Sequence, residues 1–395
     1  MSMLIWWRGK TKSGITRTSL TVILLAAFAF CFYFWRLGSL TRGLSPAEVS
    51  ARSSSSTLQI IADNPVYAPY KILAYAVQKI FDDGALALRS VSAVLALLFL
   101  FCFYQLVKEW FGKMVSVFAS LFLAATPWFI LLARNSGPEI SLLAPTAVLA
   151  SYYWLIRSKS HVAWWTLLIC SSLLIYLPGG LWLVLLGGVF ARKSLKQAAR
   201  ELDLQARILG ILVLLIFLAP LAYAVISNPA GLKPLLLIPE LWPSILIVCK
   251  SVAWDILALL WRTPVHADFI IGRLPIFNGA QIILALLGSF ALLKLAKDKL
   301  YLLFGLLIFG ILAAAVNRNL GLLTYVLPAA ALSVAAGLRY LYIQWRSVFP
   351  KNPLPKYLAL SLIASLVAIH GFYGLRYSLI AWPNSSATRT TYVLK

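Results

Sequence analysis

The chain has 395 residues, 61% of them hydrophobic and 12% charged, with a formal net charge of +23. A soluble domain is about half apolar and about a quarter charged, so this composition excludes a soluble globular protein and requires a bilayer to cover part of its surface. The excess of Lys and Arg does not point to nucleic acid, and no nucleic-acid partner is expected. The basic residues sit in short runs between apolar stretches, as they do in cytoplasmic membrane loops. Anionic head groups of the lipid bilayer and lipid-linked phosphates are the natural acidic partners.

A helix crossing the hydrocarbon core needs about 20 apolar residues. The hydropathy pattern predicts spans near 20–35, 88–107, 114–133, 140–156, 162–177, 179–191, 208–227, 275–293, 300–316, 320–338 and 358–375. The expected fold class is therefore an all-α polytopic membrane protein of about 11 transmembrane helices. The first span follows Arg8, Lys10, Lys12 and Arg17, lacks a small-residue cleavage site, and reads as a retained anchor with a basic cytoplasmic N-terminus at 1–19. Two long loops, 36–87 and 228–274, then face outward, and a short tail, 376–395, is extracytoplasmic. The bundle proper runs over 88–375. With these spans about 20 of the 35 Lys and Arg fall in short cytoplasmic segments, and about 8 of the 12 acidic residues lie outside.

Within the first outside loop, residues 53–56 are four serines, a flexible link. Residues 64–83 open with Asn-Pro and continue as an amphipathic helix lying along the membrane surface. Tyr67, Tyr70, Ile72, Leu73, Val77 and Ile80 form its apolar side, and Lys71 and Lys79 its polar side. Pro178-Gly179-Gly180 breaks the apolar run, so the fifth and sixth spans are short broken helices, tolerated at membrane depth where protein or water covers them. The stretch 235–261 is either an interfacial or re-entrant element or a pair of spans, which would raise the count to thirteen with the same topology. Cys31, Cys102, Cys170 and Cys249 lie in apolar stretches without a CxxC pair, and His161, His266 and His370 are far apart, so neither a disulfide framework nor a metal site is read from them.

The order of motifs along residues 1–160 resembles the GT-C superfamily of membrane glycosyltransferases, which includes protein O-mannosyltransferases and lipid A aminoarabinose transferases. SPAEVS sits where that superfamily carries an acidic motif, DNPVYAPYKILAYAVQKIFDD where it carries a proline-led helix, and ALRSVSAVLALL resembles its approach to the second span. LVKEWFGKMVSVFASLFLAATPWFILLARNSGPEISLL resembles the next hairpin with its outside Arg…Glu loop, and RNLGLLTYVLPAAALSVAAGL the late helix that opens with Arg. The chain departs from the pattern at Ala47, which replaces the first acid of the motif and leaves Glu48 alone. The resemblance implies transfer of a sugar from a polyprenyl-phosphate donor to an acceptor, protein, lipid or glycan, on the extracytoplasmic face.

On this reading Glu48 acts as general base toward the acceptor, with Asp63 and Glu139 as further catalytic candidates. Asp63 doubles as a candidate N-cap of the proline-led helix. A lone Glu is a poor site for a divalent ion, so no metal ligand is assigned and a metal-independent reaction is expected. Arg318, at the start of the late helix, is the first candidate for holding the donor's phosphate, because a guanidinium fork donates two parallel bonds. Lys71, Arg89, Arg134 and Arg273 are the others. Two rival readings stand beside this one: a catalytically degenerate GT-C scaffold that binds lipid-linked glycans, motivated by Ala47, and a transporter or flippase of lipid-linked material. The second requires polar residues deep in several spans, of which few are visible. The expected location is the bacterial plasma membrane.

Overall fold

The computed structural model describes residue 27 and residues 29–81, 84–348 and 353–394. The basic segment 1–19 and half of the first span, 20–35, lie outside the described residues. Among these residues the regular structure is helical, apart from an isolated antiparallel bridge between Leu44 and Leu394.

After the end of the first helix come α1 (Pro46–Ser54), α2 (Leu58–Asp63) and α3 (Ala68–Phe81). The bundle follows with α4 (Ala85–Phe111), α5 (Lys113–Ala124), α6 (Pro127–Arg134), α7 (Ala144–Ser158), α8 (His161–Ile175), α9 (Gly180–Arg200) and α10 (Leu204–Ser227). It continues through α11 (Leu232–Leu235), α12 (Ile245–Leu260), α13 (Gly279–Leu295), α14 (Lys297–Asn317), α15 (Val326–Val348) and α16 (Pro353–Leu375), and closes with α17 (Trp382–Asn384) and α18 (Ser386–Thr391). Among the described residues six helical segments are long and apolar enough to cross a membrane, or seven if α5 and α6 form one bent span; α8 and α13 are apolar but shorter. Every predicted span outside the undescribed residues coincides with a helix, while the total of about eleven is not established by these lengths.

The breaks have physical causes. Pro127 cannot donate the next helical hydrogen bond, and α5 and α6 diverge there by 64°. Thr126 Oγ1 donates to the Phe122 carbonyl at this corner. Asn278 at the start of α13 donates to His370 Nδ1 at 3.0 Å, which leaves the proton on Nε2, 3.3 Å from Thr126 Oγ1; the Gln281 amide donates to the same hydroxyl. The corner is thus pinned by three helices. The break at Pro178-Gly179-Gly180 falls where the sequence places it. Gly179 takes φ +74°, and a Cβ on Gly180 would stand 1.7 Å from the Leu174 carbonyl, which no side chain can accommodate.

Of the six long spans, the one that includes α15 is the most enclosed and α10 the least. α13 crosses α15 at Gly288 and Gly337, close enough that a Cβ on Gly288 would lie 1.8 Å from the Ser333 carbonyl. Small residues bring backbones together in this way where apolar side chains gain nothing over lipid.

Five expectations change or narrow. The juxtamembrane helix starts at Ala68, after a left-handed Tyr67 (φ 60°), rather than at Asn64. Its faces divide differently: Lys71, expected on the polar side, is buried with Tyr70, while Ile72, Leu73 and Ile80 are exposed, as suits a helix whose outer side meets lipid. Asp63 does not cap that helix, since it is the last residue of α2; Asn64 follows it and accepts from the Val66 N–H. The stretch 235–261 holds one helix, α12, rather than a pair. The last long helix also passes the expected boundary at 375, running through wider π-helical turns at Arg376–Ala381 to Asn384.

Candidate functional site

The segment Arg134–Glu139, between α6 and the 3-10 turn Pro138–Leu143, organises the site. Each residue meets a different part of the chain. Arg134 is buried and donates to the carbonyls of Phe32, Tyr33 and Trp35, capping the C-terminal end of the first helix with a cation. The Asn135 side-chain amide donates to the carbonyl of Asp268 in the second outside loop. The Ser136 N–H donates to Glu48 Oε1 at 3.1 Å. The Gly137 carbonyl faces Ser92 Oγ, which pairs with the Tyr70 hydroxyl of α3 at 3.0 Å. Glu139 then projects against Gly321, with its Cγ 3.0 Å from where a Cβ on Gly321 would be.

Glu48 is almost fully buried, at 2% exposure, in the first turn of α1. Ser45 and Glu48 cap that helix reciprocally: the Ser45 N–H donates to Glu48 Oε2, and the Glu48 N–H donates to Ser45 Oγ. Arg89 of α4 then meets the carboxylate with both prongs, Nε on Oε1 and Nη2 on Oε2, each at 2.8 Å. The remaining Arg89 donors reach the carbonyls of Leu37 and Gly43. Both Glu48 oxygens therefore accept two bonds each, and Arg89 has little left to offer a ligand. The sequence singled out both residues for chemistry; the fold joins them to each other.

Glu139 stands differently. It has no cationic partner and no donor from another described residue. Its electrostatic neighbours are Tyr67, Tyr70 and Asp268, and Tyr325 is in turn a neighbour of Tyr67. Burial first, and then the charge of Glu139, push the Tyr67 hydroxyl well above its ordinary pKa, so it stays a neutral donor. The Tyr325 hydroxyl donates to the Pro178 carbonyl at 2.7 Å, and the Tyr67 N–H to the Tyr176 carbonyl at 2.9 Å, so the chain around the break at 178–180 holds both tyrosines in place.

Asp268, which the sequence reading did not single out, accepts from the Tyr392 hydroxyl at 2.9 Å and interacts electrostatically with Glu139. The ring of Tyr392 lies 5.8 Å from the Arg89 guanidinium. A continuous path thus runs Glu48–Arg89–Tyr392–Asp268. Its only sequence signal is an acid in the second outside loop.

The cationic candidates separate clearly. Arg318 ends α14 in a left-handed conformation (φ 49°), three residues before Gly321; it is exposed and its side chain bonds no described residue. Lys71 is buried on α3, its Nζ donating to the Asn64 carbonyl at 2.8 Å, and burial lowers its pKa to about 8. Arg273 is exposed in the second outside loop. Arg89 and Arg134 are committed to internal partners. Asp63 is exposed at the end of α2, where its carbonyl meets Asn228. Among the described residues no three His, Cys, Asp or Glu side chains converge as a metal-ligand set.

The arrangement defines a class of protein. The sequence profile of the family described as dolichyl-phosphate-mannose-protein mannosyltransferase matches residues 63–224. The fold matches ArnT from Cupriavidus metallidurans in the apo state, with a TM-score of 0.65 and 15% identity over 95% of this chain and 78% of that one. The same protein bound to undecaprenyl phosphate matches with a TM-score of 0.56 and 14% identity over 95% and 76% of the two chains. The Archaeoglobus fulgidus oligosaccharyltransferase tethered to an acceptor peptide matches at 0.58 and 14%, over 94% of this chain and 56% of its own, so the chain spans little more than half of that protein. No curated protein sequence matches the chain. The chain is a multi-pass membrane protein that shares its fold with ArnT and with the Archaeoglobus fulgidus oligosaccharyltransferase.

Proposed function

We propose that the protein transfers a sugar from a polyprenyl-phosphate donor to an acceptor on the extracytoplasmic face, with Glu139 as the catalytic carboxylate. The observation that carries this reading is the contrast between two acids joined through the segment Arg134–Glu139. Glu48 is saturated by Arg89, Ser45 and Ser136, whereas Glu139 is unpaired and lies against the turn that follows the exposed Arg318. A general base needs a free lone pair within reach of the acceptor's proton. Glu139 has one. Glu48 with Arg89 is a positioning pair that holds the first loop on the segment carrying Glu139.

Arg318 and Lys71 are the donor-phosphate ligands in this proposal, the first through its free fork and the second through its ammonium. An apolar cleft of about 330 Å³ lies between α5, α12, α13, α14 and α15, lined by Phe122, Leu259, Ala285, Leu307 and Ala330. It reaches Val326, the residue after Tyr325, and suits the prenyl chain of the donor. The solved proteins of this fold bound to undecaprenyl phosphate and to dolichol-phosphate support a lipid-phosphate donor. The identity of sugar and acceptor is open to the same experiment.

That experiment presents a panel of polyprenyl-phosphate sugars to the full chain in lipid. Glu139→Gln is expected to retain donor binding and lose transfer, Arg318→Ala to weaken binding, and Glu48→Gln to act through stability. Failure of every carrier lipid to bind would leave only the fold in common with transferases. Normal transfer by Glu139→Gln would remove that residue from the chemistry.

A further inference from the structure

A second anion-binding feature lies where the first loop meets the last residues of the chain. The isolated bridge joins Leu44 to Leu394 through N–H···O bonds of 2.8 and 3.2 Å, and Gly43 packs so closely that a Cβ there would stand 2.3 Å from the Leu394 carbonyl. Beside this seam is a cavity of about 270 Å³ whose lining includes Arg36, Arg42 and Arg389 together with Thr41, Asn384 and Tyr392. No acidic residue lines it.

Three guanidiniums around one cavity repel one another unless an anion joins them. Arg36 and Arg42 are exposed and donate no side-chain hydrogen bond to a described residue, and Arg389 gives one Nη2 bond to Asn384. Most of their donors therefore remain available. The nearest paired cation, Arg89 across the Tyr392 ring, is already neutralised by Glu48. Arg36 follows directly on the first helix, and its neighbour Trp35 is 64% exposed, while Ile380 on the facing helix is 61% exposed. An exposed Trp beside an Arg at a helix end is the signature of the head-group level of a membrane.

We infer that Arg36, Arg42 and Arg389 form a phosphate-binding pocket at the outer membrane interface that takes the phosphate-bearing head group of a membrane lipid. Planar forks converging on a tetrahedral anion supply parallel charge-assisted bonds, and guanidiniums remain charged at any pH the protein meets. Occupancy clamps the first loop to the C-terminal segment. Because Tyr392 lines the cavity and also bonds Asp268, that clamp stabilises one wall of the pocket around Glu139.

The test uses the purified full chain and two probes, inorganic phosphate and phosphatidic acid in mixed micelles, with diacylglycerol as the head-less comparison. Retained lipid is counted by native mass spectrometry, and the thermal midpoint is read with each probe. Wild type is expected to retain phosphatidic acid over diacylglycerol, and Arg42→Gln/Arg389→Gln to lose about tenfold or more of that affinity, as expected for lost charge-assisted bonds. Arg42→Lys/Arg389→Lys should recover part of it, which separates lost charge from misfolding, and Arg192→Gln/Arg200→Gln should change nothing. Stabilisation by inorganic phosphate identifies the phosphate alone as the ligand; stabilisation by the lipid only identifies the whole head group. Equal retention by wild type and the Gln variant overturns the inference. On an Arg318→Ala background the loss caused by Arg42→Gln/Arg389→Gln should persist, so failure of the donor site and failure of this one are distinguishable.

Discussion

Glu48 and Arg89 meet through two parallel bonds of 2.8 Å, in a place where both side chains are nearly excluded from solvent. The pair joins the first turn of α1 to the first turns of α4, and the Ser136 N–H on Glu48 ties both to the segment that presents Glu139. Removing one partner of such a pair strands the other charge in a poorly solvated place. Glu48→Ala is expected to cost about 3–5 kcal/mol of stability, read as a lower unfolding midpoint in lipid. Replacing both residues by apolar ones of similar size should recover much of the loss. An unchanged midpoint in Glu48→Ala would mean that the pair does not hold the loop.

Glu139→Gln keeps shape and removes the base. Transfer should fall by about 10²–10⁴-fold, the range for a lost general base, with donor affinity and thermal midpoint near wild type. Asp268→Asn should lower transfer by a smaller factor, since Asp268 acts on Glu139 through its charge. Equal losses in donor binding and transfer would assign Glu139 to binding instead.

Lys71 provides a pH signature. Burial lowers its pKa to about 8, below the ordinary lysine range. The cation needed for a phosphate is therefore lost as pH rises through about 8, and donor affinity should decline there. Folding stability moves the opposite way. Between about 8 and the unfolded value of about 10.4 the unfolded chain binds more protons, so stability rises with pH over that window. Lys71→Arg should flatten the affinity profile. A profile in wild type that is flat from pH 7 to 10 would exclude Lys71 as a ligand.

Gly321 should tolerate no side chain without moving the carboxylate. A Cβ there would sit 3.0 Å from Glu139 Cγ and 3.1 Å from Asn319 Oδ1. Gly321→Ala is expected to lower the transfer rate several-fold with little change in thermal midpoint. Gly180→Ala, by contrast, places its Cβ 1.7 Å from a backbone carbonyl and should prevent normal folding, read as loss of the monodisperse species in detergent. The contrast between the two variants separates a positioning glycine from a structural one.

Most of the architecture is legible in the sequence because hydropathy acts locally. Apolar runs of span length, the Pro178-Gly179-Gly180 break and the basic run at Arg192–Arg207 each declare themselves within about 20 residues. The all-helical membrane fold and the order of its elements follow from these alone. The faces of α3 do not, because an amphipathic pattern shows that two sides differ without showing which side meets lipid and which meets protein. Lys71 falls on the protein side, where the Asn64 carbonyl receives it.

The site was partly visible: Glu48, Glu139, Lys71, Arg89, Arg134 and Arg318 all stand out as charges flanking apolar spans. Their division of labour is a tertiary matter. Glu48 and Arg89 are 41 positions apart, Ser136 and Glu48 88 apart, and Tyr392 and Asp268 124 apart. A charge in a sequence carries no sign of whether its lone pairs and donors will be satisfied by a distant partner. Packing alone saturates Glu48, leaves Glu139 open, and brings Asp268 and the chain's last residues to the same wall.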